Sequence, residues 1–222
     1  NTDTMKNPKA HQSRRHFLHT ASAATALALS NPGYTAASPA VDRLTQRLNP
    51  KITEYRSAAL KTLKPTDRDL QHGLELHADA IVFDSYGFSP RAAVDGDAIK
   101  AAIEAGASSA EIDDLREDSG MTRYVTNAVE QQEYRDAWRA SGVTCIFQNA
   151  GEEGQDPLRL IKRLARFTYA TDLMRGFVAK AVTPEDILQA KKENRHSLCF
   201  TGNGVPLTQQ WISVQDELRY VK

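Results

Sequence analysis

The chain has 222 residues, with 28 Lys plus Arg against 28 Asp plus Glu, so its formal net charge is zero with histidine neutral. That balance excludes a bulk electrostatic pull toward nucleic acid or an anionic membrane surface. Two cysteines exclude a disulfide framework, and the length suits one domain with a sizeable core.

Ser13-Arg14-Arg15-His16-Phe17-Leu18, then the alanine-rich run Ala21 to Leu29 and a stretch of small residues, has the layout of a twin-arginine export signal. Cleavage sites fall after Ala37 or Ala40. Residues 1–40 are therefore predicted to be a signal peptide read by the twin-arginine translocation machinery, with a periplasmic or otherwise extracytoplasmic destination. The run is too short and too alanine-rich for a membrane span, which needs about 20 strongly apolar residues. No other segment comes close, so no stable span is expected in the mature chain.

Residues 41–79 form an N-terminal helical segment. Leu44, Leu48, Ile52 and Tyr55, then Leu60 and Leu63, recur at helical spacing, and Pro65-Thr66-Asp67 separates a second helix ending near His77. Residues 80–222 alternate strand and helix. Ala80 to Asp84 is a continuous apolar run of the kind found in buried parallel strands. Asp97 caps a helix stopping at Gly106, Ser109 starts a short one, and Asn127 to Ala140 is amphipathic. Val143 to Phe147 is the second strand. Asp156-Pro157 opens a long helix whose face is Leu158, Ile161, Leu164, Ala165, Thr168, Leu173 and Phe177. Arg159, Lys162, Arg163 and Arg166 read as its solvated flank. Thr183-Pro184-Glu185-Asp186 starts the next helix, Ser197 to Thr201 is the third strand, and Ser213 opens a last helix.

This order implies a parallel sheet with helical crossovers, either doubly wound or a (β/α)8 barrel. The chain opens on Asn1 rather than methionine and stops at Lys222 inside a helical pattern, so it reads as the front part of a longer protein. In both architectures function collects at the carboxyl ends of the strands. Asp84, Tyr86, Asn149, Glu152 and Glu153 are the polar groups there, although Glu152 and Glu153 are equally explained as solvated loop acids. His77-Ala78-Asp79 precedes its strand and so lies at the wrong end for a barrel metal site. His72 and His77, five apart, do not share a helix face, and no phosphate loop or nucleophile elbow is present. Cys145 and Cys199 sit in apolar runs, as buried thiols or as a pair that export would let oxidise.

Three blocks at the strand ends resemble the membrane (renal) dipeptidase family. Ile81 to Phe88 is similar to that family's first strand and its Asp-Gly-His-Asn-Asp. Ser141 to Gln148 is similar to its second, Gly-Gly-Val-x-x-Gln-Phe-Trp. Thr183 to Ile187 with Ser197 to Leu207 is similar to its third unit, ending in Glu-Gly-Gly-His. The resemblance covers most of residues 76–222. It implies a partial TIM-type barrel of the amidohydrolase kind, comprising the first three βα units, and zinc-dependent hydrolysis of small peptides or amides. It also implies a modified site, because Tyr86 stands at the family's metal histidine, Phe88 at its metal aspartate and Gly202 at its bridging glutamate. No zinc ligand carries over onto this sequence, leaving one ion or none. The leading expectation is an exported dipeptidase-like metallohydrolase. Its alternative is a non-catalytic periplasmic protein that kept the barrel, lost the ions and holds a small ligand near Tyr86 and Glu152. A third is another exported barrel enzyme, such as a sugar isomerase.

Overall fold

The computed structural model describes residues 39–45, 48–151, 157–202 and Gln215, all within the compact unit Ala37–Lys222. Residues 1–38 of the expected export signal, the acids Glu152, Glu153 and Asp156, and the expected last helix apart from Gln215 lie outside these residues.

The N-terminal segment holds three helices rather than two: α1 (Pro39–Thr45), α2 (Pro50–Leu63) and α3 (Asp67–Asp79). The unanticipated break falls where the Asn49 side chain accepts the Lys51 backbone N–H and Pro50 takes the first helical position. Lys64, in the left-handed region, ends α2, and Thr66 caps α3. Tyr55 and Leu63 stay exposed, so the repeat that marked this helix does not mark a buried face.

β1 (Phe83–Gly87) leads through α4 (Gly96–Glu104), α5 (Ser109–Thr126) and α6 (Ala128–Ser141) to β2 (Cys145–Gly151). Then follow α7 (Pro157–Leu173), β3 (Val178–Lys180), α8 (Pro184–Lys192) and β4 (His196–Gly202). Asp95, not Asp97, caps α4. α5 is the longest described helix instead of a short one; Ser108 and Glu111 form its capping box. Three of its acids, Asp114, Glu117 and Asp118, pair with cations on α7, while Glu111 caps the helix and Asp113 stays in solvent beside Arg116. Asn127 caps α6, and Thr183 with Asp186 forms the capping box of α8, as their sequences indicate.

The sheet has four parallel strands in the order β1-β2-β4-β3. The three strands read from the sequence are neighbours: Phe83 pairs with Cys145, and Phe147 with Cys199. β3 was not foreseen. Its three residues are too few to show alternation and continue the apolar run after α7, yet they pair with His196 to Leu198 at the sheet edge. A bulge between Asp84 and Gly87 puts an extra residue on β1.

α5, α6 and α7 cover the sheet face bearing Ile146 and Leu198. Met121, Tyr124, Tyr134, Trp138, Phe167 and Met174 fill the space between. Tyr124 and Tyr134 stack with centroids 4.0 Å apart. On the other face Phe83 meets Phe147 edge-on at 4.4 Å, and Phe83 is 41% exposed. The face expected of α7 holds at Leu164 and Phe177, which pack with the core, and is corrected elsewhere. Leu158, Ile161 and Leu173 are exposed, while Arg166, Phe167, Ala170 and Thr171 turn inward. Gly142 ends α6 at φ 65°, and a Cβ there would strike His77 and Leu44, so both conformation and space demand glycine. No helix among the described residues is long and apolar enough to cross a membrane.

Candidate functional site

A small pocket of about 100 Å³ opens at the carboxyl ends of β1 and β2. It lies between the β1–α4 loop, α5 and α7, and its polar lining includes Ser89, Arg91, Glu117, Gln148, Asn149 and Arg163.

The loop is fastened along its length. Gln148 is 2% exposed; its Oε1 accepts the Ser89 N–H at 2.7 Å and its Nε2 donates to Asn149 O at 3.0 Å. Ala92 N–H donates to Gly120 O at 2.9 Å, and Asp95 N–H to the Ser119 hydroxyl at 2.9 Å. These bonds set the Arg91 guanidinium against Gly120, where a Cβ would sit 3.2 Å from its Nε and Nη2. Glycine at 120 thus lets the cation lie on the helix. Arg91 forms no ion pair among the described residues.

Deeper in the cleft the charges are matched. Arg166 donates to Asp118 at 2.9 Å, to Asp114 at 3.0 Å and to Glu117 at 3.1 Å. Arg163 and Arg159 reach Glu117 Oε1 at 2.6 and 3.2 Å, and Lys162 reaches Asp114 at 3.0 Å. The basic run is a solvated flank only in part: Arg159 and Lys162 stay exposed while Arg163 and Arg166, the latter 9% exposed, turn inward, and all four clamp α7 to α5. Burial acts to raise the Glu117 carboxyl, yet the hydrogen bonds from Arg163 and Arg159 outweigh it and hold Glu117 ionised. Burial also opposes the Arg166 charge, and the carboxylates of Asp114 and Asp118 more than restore it.

Of the sequence candidates, the structure brings Tyr86 and Asn149 together, with Asn149 Nδ2 donating to the Tyr86 hydroxyl at 3.4 Å. Asp84 stands apart: its Oδ1 accepts the Tyr86 N–H at 3.1 Å and its carboxylate fills the space a Gly87 side chain would need. Glu152 lies outside the described residues. Arg91, Glu117, Tyr124 and Gln148 were not singled out in the sequence. Only Gln148 carried a signal, as the residue closing the second-strand block. Tyr124 lines the pocket at 1% exposure, and its hydroxyl has no hydrogen-bond partner among the described residues. Burial, then the neighbouring Tyr134, pushes its pKa up, so it stays a neutral donor.

Comparison with family models, curated proteins and solved structures finds no match to this chain. The site must be argued from its own chemistry.

The zinc implied by the resemblance does not fit the three positions concerned. Phe88, 62% exposed at the pocket rim, and Gly202 offer no donor atom, and the Tyr86 hydroxyl accepts from Asn149. Among the described residues no three His, Cys, Asp or Glu side chains converge. Cys145 and Cys199 are free thiols, both raised in pKa chiefly by burial, which makes them poor ligands and nucleophiles. His77 Nε2–H donates to Ser141 O, 2.7 Å away, at the amino end of the sheet.

Proposed function

We propose that this is an exported, dipeptidase-like α/β protein that binds a small peptide or amide at the carboxyl end of its sheet. In this reading Arg91 pairs with the ligand's carboxylate, while Tyr124 and Asn149 serve its amide or carbonyl groups. The observation that carries it is the loop pinned by Gln148, which holds an arginine with no carboxylate partner among the described residues over a pocket of hydrogen-bonding groups. Binding is favoured over turnover because amide hydrolysis needs a group that takes a proton from water. Glu117, the one carboxylate among the described residues that line the pocket, is kept ionised by arginines and is a weak base.

The test is calorimetric titration of the full chain with an unmodified dipeptide and with its C-terminal amide. The dipeptide is expected to bind at least about tenfold more tightly than the amide, and R91Q to erase that difference. No binding of either overturns the reading.

Metal-dependent hydrolysis is the second reading. It is favoured by the neighbouring parallel β1, β2 and β4 and by a helical layer over one sheet face, as in the outer ring of a TIM-type barrel. Dipeptide turnover that zinc supports and a chelator removes, in the same protein, would assign the chemistry to residues other than Tyr86, Phe88 and Gly202.

A further inference from the structure

The opposite, amino end of the sheet carries a second cavity, of about 380 Å³, where α1, the end of α6, Phe177 and the α8–β4 turn meet. Arg43, Arg135, Arg139, Lys191 and Arg195 line it, against the single carboxylate of Glu193. Cations are common where helices end, since they satisfy terminal carbonyls and oppose the helix dipole. Two of the five fill that role through a hydrogen bond to a carbonyl. Lys191 donates to Ala78 O at 2.5 Å, and Arg195 to Arg175 O at 3.0 Å while also pairing with Glu193.

Arg43 and Arg139 also stand in the last turns of α1 and α6, where they oppose the helix dipole, but among the described residues neither donates to a terminal carbonyl, and Arg135 stands a turn earlier. Arg43 and Arg135 make no hydrogen bond or ion pair among the described residues, and Arg139 has only Asp136 at 4.0 Å. Arg135 and Arg139 stand one turn apart on α6, with guanidinium carbons 4.5 and 5.7 Å from the centre of the same Phe177 ring. Like charges so placed repel. Burial, and then the Arg139 charge, lowers the Arg135 pKa, so the empty-handed protein holds this cation at a cost. His196 forms part of the wall but is neutral, and so offsets nothing.

We propose that this cavity binds a compact, multiply charged oxyanion, bearing phosphate or carboxylate groups, between Arg43 and the Arg135–Arg139 pair. Guanidinium forks match such oxygens in pairs, the Phe177 ring holds two of the forks in place, and the space suits a small molecule. The site is separate from the pocket at the carboxyl end and does not depend on what binds there.

The experiment titrates the full chain with inorganic pyrophosphate and with citrate at low and high salt, then repeats it on R135Q/R139Q. Binding of at least one anion is expected, weakened by salt and by at least about tenfold in the double variant. The variant without ligand should melt at the same temperature or higher, since it loses a repulsion. A preference for pyrophosphate assigns a phosphate ligand, and a preference for citrate a polycarboxylate. Failure of both to bind more tightly than about 1 mM, or affinity unchanged in the variant, overturns the proposal. Should the double variant not fold, R43Q carries the same test from α1, away from the Phe177 ring. R91Q should leave this affinity untouched.

Discussion

At the carboxyl end of the sheet each cation of the α7 run meets a carboxylate of α5, whereas at the amino end Arg43 and Arg135 meet none among the described residues. The two ends also differ in what the charges do. The matched set at the carboxyl end holds two helices together, and among the described residues Arg91 is the pocket cation that it leaves without a carboxylate. At the amino end no such clamp exists, and the unmatched charges surround a cavity. A charge whose partner is already present contributes to the fold, while one held in place without a partner remains available to a ligand.

The largest expected effect comes from breaking the matched end. Arg166→Met strips three carboxylates of their most buried partner, and Glu117, with its side chain 10% exposed, keeps only Arg163 and Arg159. Loss of one member of a buried pair costs about 3–5 kcal/mol, and the surviving arginines place this case near the lower value. Thermal unfolding should show a fall of roughly 6–12 °C. A fall below about 1 kcal/mol would mean the clamp behaves like surface ion pairs and the contrast between the two ends is false.

The amino end should reveal itself through pH. His196 sits between Trp138 and Phe177 at centroid distances of 4.7 and 4.9 Å, and its Nδ1–H donates to Val143 O at 2.7 Å. Burial above all, with the Arg139 and Lys191 charges adding to it, pushes its pKa down to about 4. The unfolded chain takes up this proton near pH 6.5 and the folded one only near 4, so stability falls as pH drops through that window and levels off below it. The loss is on the order of 3 kcal/mol. Urea titrations at pH 7.5, 5.5 and 4 should show this decline, and His196→Gln should remove most of it. An unchanged pH dependence in the variant would place the cause in other groups.

These two sites also show what the residue order discloses. Strand existence was legible because Phe83, Cys145 to Phe147 and Ser197 to Phe200 lie in continuous apolar runs. Their bounds slid by a few residues, because pairing, unlike apolarity, extends to Tyr86-Gly87 and to Asn149 through Gly151. The inward face of α7 was legible only in part, at Leu164. Periodicity assigns burial to Leu158 and Ile161, but the acids of α5 draw Arg163 and Arg166 inward, and that partnership spans some fifty residues. The pocket was half legible. Asn149 follows from strand-end geometry, and Tyr86 only borders the pocket through it, whereas Arg91 depends on a loop bond to Gln148 and on the bare face of Gly120, which no local pattern encodes.

A smaller effect is expected from Gln148→Leu, which keeps the volume and deletes the acceptor of the Ser89 N–H. Leaving that buried donor unpaired costs about 1–3 kcal/mol. The more telling result is functional. With the loop released, the Arg91-dependent preference for a dipeptide over its amide should shrink although Arg91 itself is intact, while pyrophosphate binding at the amino end is unaffected. Equal losses at both ends would mean that the two sites are not independent.

The smallest effect belongs to Tyr86, the residue standing where the resembling family has a metal histidine. It is 57% exposed, and its hydroxyl accepts from Asn149 at 3.4 Å, a long bond. Tyr86→Phe should therefore change stability by no more than about 0.5 kcal/mol and dipeptide affinity by no more than about threefold. A larger loss of affinity at unchanged stability would put the hydroxyl in contact with the ligand and move the centre of the pocket from the Arg91 side toward β1. Tyr86→His sharpens the same point. An imidazole there has no donor atom at Phe88 or Gly202 to work with, so zinc content by elemental analysis should stay as in the parent protein. A gain of one ion per chain would mean that the family's metal geometry survives at this end of the sheet and lacked only that histidine.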